Sequence, residues 1–72
     1  MDYEKTGKLI RFLRVERGLT QKNIADALNI SNKTVSKWEC GLGCPDLELW
    51  PELSVILGVD MGTFSWSGSL VP

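Results

Sequence analysis

Short apolar stripes at helical spacing alternate with brief polar stops along these 72 residues, and the strict alternation of a half-buried strand is nowhere sustained. The spacing predicts a first helix over about residues 5–17. Leu9, Ile10, Leu13 and Phe12 form its stripe, Arg11 and Arg14 interrupt it, and Gly18 ends it. A second begins in "GLTQKNIADALNIS": Thr20 is a good N-cap, Ile24, Ala25 and Leu28 share a face, and Asn29 can take the left-handed conformation that stops a helix. After so short a turn Ser31 caps a third helix, with Val35 and Trp38 inward and Asn32, Lys33, Ser36 and Lys37 outward, and Gly41 follows its end.

Beyond a loop holding Gly43 and Pro45, Asp46 is the candidate cap of a fourth helix over about residues 47–57, with Leu53, Ile56 and Leu57 as its core stripe. Pro51 is awkward in a helix interior because it gives up a backbone donor, so a start nearer Trp50 is the alternative. A short fifth helix is expected from Asp60, as cap, to Trp66, with Met61 and Phe64 or Ser65 inward. The tail "SGSLVP" has no periodic pattern; residues 67–72 read as flexible and resemble the start of a thrombin-cleavable tag, which leaves room for a further C-terminal domain after residue 66. The expectation is an all-α bundle of about five short helices in one domain, residues 1–66.

Composition narrows the function. With 43% hydrophobic and 24% charged residues this is the make-up of an ordinary globule, and neither a membrane-length apolar run nor a signal-peptide core occurs, so the default location is cytoplasmic. Histidine is absent, and Cys40 and Cys44 offer two thiols where structural zinc needs four ligands, so no metal or cofactor is expected. No nucleophile has an evident activator, which argues against an enzyme. The net charge of −1 conceals an asymmetry: all eight Lys and Arg lie between Lys5 and Lys37, giving +4 over residues 1–38, while five acids and no base follow from Glu39. One side of the molecule can therefore approach an anionic partner.

Two short helices joined by a tight turn have the geometry of a helix-turn-helix. From Ile10 to Gly58, "IRFLRVERGLTQKNIADALNISNKTVSKWECG" followed by "PDLELWPELSVILGV" resembles the lambdoid phage repressor and Cro family of DNA-binding domains, also called XRE-type. The likeness rests on coupled positions: R-G-L-T-Q opening the second helix, small Ala25 at the crossing with the third, Asn29 at the turn, Val35 and Trp38 inward, and P-D before the fourth. It implies a lambda repressor-like fold and double-stranded DNA as partner, bound as a homodimer on a palindromic operator by a transcriptional regulator, most simply a repressor.

Carried over position by position, the resemblance makes Asn32, Lys33, Ser36 and Lys37 the base readers. Their chemistry suits the task, since lysine can donate to guanine and asparagine can pair with adenine in the major groove. Thr20 and Gln21, with Lys22, Ser31, Thr34 and the Gly41 N–H, would position phosphates, and Arg14 and Glu39 match a pair that forms a salt bridge in the family. Where relatives carry "WENGK" after the third helix this chain has "WECGLG", with Cys40 and Leu42 replacing polar or basic residues, which implies a reduced phosphate grip. A protein-interaction module or antitoxin component on the same scaffold is the alternative, with Leu42, Trp50 and the acidic fourth helix as an exposed contact surface.

Overall fold

A computed structural model describes residues 2–59. Within them lie four helices and no strand: α1 (Tyr3–Glu16), α2 (Gln21–Leu28), α3 (Asn32–Glu39) and α4 (Trp50–Leu57). The expected fifth helix and the tail fall outside the described residues.

Helix α1 starts two residues earlier than its apolar stripe suggests because Asp2 caps it, accepting hydrogen bonds from the backbone N–H groups of Glu4 (3.0 Å) and Lys5 (3.1 Å). A capping carboxylate satisfies donors that no earlier turn can reach. Thr20 caps α2 in a reciprocal box: its hydroxyl accepts from Asn23 N–H at 3.0 Å while Asn23 Oδ1 accepts from Thr20 N–H at 2.8 Å. Asn29 ends α2 with φ at 60°, and the chain turns through Ile30 to the Ser31 cap of α3. These caps matter because eight-residue helices are too short to persist alone in water.

The start of α4 differs from the 47–57 expectation. The helix begins at Trp50, with Leu49 as a cap residue lacking a side-chain bond, and Asp46 is no cap; its carbonyl instead closes a turn by accepting from Leu49 N–H at 2.9 Å. Proline explains this, since Pro51 in the first turn needs no donor, whereas a helix running back to Leu47 would set its ring against that residue's carbonyl.

Ile10, Ile24, Ala25, Leu28, Val35, Trp38, Trp50, Leu53 and Leu57 form the core, with Leu9, Leu13, Ile30, Leu49, Ile56 and Val59 packed at its edge. Two side chains depart from the sequence reading. Phe12 is 59% exposed and lies off the core stripe of α1, and Trp50 is only 5% exposed and therefore belongs to the interior, not to a contact surface. The α1 and α3 helices approach most closely at Gly7, where a Cβ would collide with the carbonyl oxygen of Trp38. Only glycine permits that crossing.

Gly7→Ala should therefore lower stability by about 1–3 kcal/mol despite alanine's better helix propensity, because the added methyl meets backbone and not a side chain that can rotate away. Urea unfolding checks this, and a midpoint equal to or above wild type would contradict the crossing.

Candidate nucleic-acid interface

Helix α3 has two unlike faces. Val35 and Trp38 are buried and fix its roll, which turns Asn32, Lys33 and Lys37 fully outward and leaves Thr34 and Ser36 half-buried at the margins. Trp38 is 4% exposed, so it contributes burial and not a stacking surface. At the start of the helix Ser31 Oγ accepts from Thr34 N–H at 3.2 Å and lies 2.9 Å from Thr34 Oγ1, so the two hydroxyls stand together beside the outward face.

The end of α3 is held by Glu39. Arg14 of α1 grips its carboxylate with two parallel bonds, Nε to Oε2 at 2.7 Å and Nη2 to Oε1 at 3.0 Å, while Nη1 donates to the Leu19 carbonyl at 2.9 Å. Gln21, the first residue of α2, donates its side-chain amide to Glu39 Oε1 at 3.1 Å. Side-chain exposures of 13% for Arg14 and 4% for Glu39 place this pair below the surface, where charges are tolerated only when fully partnered. The bonds to Glu39 hold the Arg14 guanidinium above its ordinary pKa, against the opposing effect of partial burial. A raised basic pKa adds stability that is fully present below the ordinary guanidinium range and is lost only as pH rises through the still higher folded value, so Arg14 brings no pH dependence near neutrality.

The amino end of α2 lies in the same neighbourhood, since Gln21 reaches Glu39. The capping box engages the N–H groups of Thr20 and Asn23, and those of Gln21 and Lys22 have no acceptor among the described residues. Lys22 is exposed and forms a surface pair with Asp26 at 3.0 Å. At the other end of α3 the Gly41 N–H donates to the Trp38 carbonyl at 3.1 Å as part of the helix stop, so it is the least available of the expected phosphate donors. The loop beyond carries exposed Cys40 and Leu42 and half-buried Cys44, both thiols free. Contact with the Cys44 thiol raises the Tyr3 hydroxyl above its usual pKa.

Gly7, Asn23 and Asp2 also shape the interface and were not singled out by the sequence reading. Asp2 and Asn23 have local signatures, a carboxylate before a helix and an amide three residues after a threonine. Gly7 has none.

A tight α2–α3 turn, an outward polar face on α3 and a basic amino half define a helix-turn-helix domain. Residues 10–64 match the helix-turn-helix family model, and the chain belongs to that family. It is 38% identical over 53 residues to the SPbeta prophage-derived HTH-type transcriptional regulator YonR of Bacillus subtilis, covering 74% of this chain and 49% of that protein. It is 44% identical over 36 residues to the HTH-type transcriptional activator BcrR of Enterococcus faecalis, covering 50% of this chain and 18% of that one. A third relative, the endothelial differentiation-related factor 1 homolog of Danio rerio, is 28% identical over 57 residues, which is 79% of this chain and 39% of the relative. The chain thus spans less than half the length of each of these relatives.

Arg14→Leu should cost about 3–5 kcal/mol, because it strands the Glu39 carboxylate below the surface. Thermal melting reads the loss, and unchanged melting would show that the pair is not structural. Gln21→Ala removes one of the remaining bonds and should cost only about 1 kcal/mol.

Proposed function

We propose that this domain is a DNA-binding transcription regulator that lays α3 in the major groove. The observation that carries the reading is the outward face of α3, whose roll is set by Val35 and Trp38 and whose end is tied by Glu39 to α1 and α2. Asn32, Lys33, Ser36 and Lys37 are then the base readers: the lysines donate to guanine O6 and N7, and Asn32 pairs with adenine. Thr20, Gln21, Lys22, Ser31 and Thr34 position phosphates around the amino ends of α2 and α3, with Gly41 the weakest contributor.

One such domain makes few contacts, and Cys40 and Leu42 remove polar groups from the loop after α3. A homodimer on a palindromic operator supplies the missing affinity by placing two copies of α3 about 34 Å apart, one DNA turn. Repression by occupancy is the simplest mode, since it requires nothing besides the DNA contact. Its setting is the cytoplasm; among the described residues no helix is long and apolar enough to cross a membrane. A purely protein-binding role is less well supported, because Trp50, one of the residues it would need at the surface, is buried.

Combined Lys33→Ala and Lys37→Ala should weaken operator binding by at least about tenfold with unchanged melting, each base contact being worth roughly 1–3 kcal/mol. Selection from random DNA identifies the operator, and equal affinity for wild type and variant would overturn the reading. Lys22→Ala should instead weaken binding to all sequences and reduce the slope of log affinity against log salt by about one.

A further inference from the structure

Glu4, Gly7, Arg11 and Arg14 recur along α1 at steps of three and four, and at about 100° per residue they fall within about 80° of one another, on one flank of the helix. Three of them meet α3 or the chain that leaves it. A Cβ on Gly41 would lie 3.2 Å from Glu4 Cα, Gly7 abuts the carbonyls of Trp38 and Glu39, and Arg14 grips the Glu39 carboxylate. Arg11 is the exception. It is exposed, and among the described residues its guanidinium forms no ion pair or hydrogen bond. Glu4 lies two turns away and Glu16 about 140° around the helix, so neither carboxylate is placed to take it.

This flank, at the edge where the outward side of α1 meets α3, runs between two points of the proposed DNA contact. At one end Arg14 leads through Glu39 to Gln21 and the amino end of α2; at the other Glu4 adjoins Gly41. Arg11 lies between them, about 4.5 Å along the axis from Arg14 and about 10.5 Å from Glu4. A DNA strand held at the amino end of α2 and continuing toward the end of α3 therefore passes within reach of it. The loop after α3 grips that strand poorly: Cys40 and Leu42 carry no charge, the Gly41 N–H is engaged by the Trp38 carbonyl, and the acidic Glu4 stands beside Gly41. Of the two cations on the flank, Arg14 is committed to Glu39.

We propose that Arg11 holds a DNA phosphate beside the carboxyl end of α3, in place of the grip that the loop lacks. The contact rests on the DNA reading above and adds to it a residue of α1. A guanidinium suits the role, because its planar fork can donate two bonds to phosphate oxygens. A backbone contact carries no base preference; it sets the register and depth at which α3 sits in the groove.

Arg11→Ala should weaken binding to the selected operator and to unrelated duplex alike, by about fivefold near 0.15 M salt, and lower the slope of log affinity against log salt by about one. Arg11→Lys keeps the charge and should keep the slope. Lys5→Ala makes the same change of charge about 120° around α1 from Arg11 and should leave affinity and slope as in the wild type. Melting curves accompany each variant. An Arg11 that serves only to steady the carbonyl end of α3 would give an Ala variant with lowered melting and an unchanged slope, which overturns the proposal. So does an Arg11→Ala that binds as the wild type does, or a Lys5→Ala that loses as much. If in those cases the wild type still binds duplex DNA through Lys33 and Lys37, the DNA reading stands and only the Arg11 contact falls; a wild type that binds no DNA overturns both.

Discussion

The carboxylate of Glu39 is the point on which the domain turns. It lies at the end of α3, receives two bonds from Arg14 of α1 and one from Gln21 of α2, and has only 4% of its side chain exposed. A charge so placed is stable only while its partners hold it, and those partners come from the two helices that must be correctly oriented for α3 to present its outward face. The planar guanidinium fixes an angle as well as a distance, which a lysine at position 14 could not do. The ion pair therefore contributes more to orientation than to net stability, since the gain from pairing is largely offset by the loss of water.

Orientation needs such help because the helices themselves are short. Three of the four span eight residues, below the length at which a helix is stable by propensity. Their order comes from the ends and from the core: the Thr20 and Asn23 box, Asn29 in the left-handed region, the Ser31 hydroxyl, and Gly58 at the end of α4 with φ at 70°. The φ of Gly58 is what requires glycine there; the Arg17 guanidinium lies beside it, by the carbonyl end of α4, and can move aside. Caps and core thus act on the same few residues, and α2 and α3 cannot be separated energetically from the crossing that Gly7 allows.

What could be read from the chain follows from whether its cause is local. The limits of α2 and α3 were legible because a cap, a stripe and a stop all lie within a dozen residues, and the inward faces at Ile24, Leu28, Val35 and Trp38 follow from spacing alone. The beginning of α4 was less so: Asp46 has the residue type of a cap, but Pro51 moves the start to Trp50, and the two signals conflict. Phe12 adjoins a genuine stripe and so reads as inward, yet the core meets α1 along Thr6, Ile10 and Leu13, which leaves position 12 outside. Gly7 was illegible because its reason is a carbonyl of another helix, and the pairing of Arg14 with Glu39, 25 residues apart, could be suggested by family resemblance but not by spacing. At the interface, the polar face of α3 is visible as sequence; the tertiary ties that aim it are not.

The charge asymmetry acquires a physical meaning once the bases are placed. Arg14 is committed to Glu39 and is no mobile surface cation, and exposed Arg17 lies near Gly58 at the end of α4. Lys22 is paired with Asp26, but both are largely exposed, and a surface pair of that kind is worth at most about 1 kcal/mol, so a phosphate can displace the carboxylate at little cost. Lys33 and Lys37 lie with Lys22 on the helix-turn-helix, whereas Lys5, Lys8 and Arg11 lie on the outward side of α1. Of the eight bases in residues 1–38, three therefore lie on the helix-turn-helix and three on the outward side of α1, where Asp2, Glu4 and Glu16 balance them. A domain that used all its bases on DNA would show a salt dependence set by the whole charge; division predicts a smaller electrostatic contribution to DNA affinity.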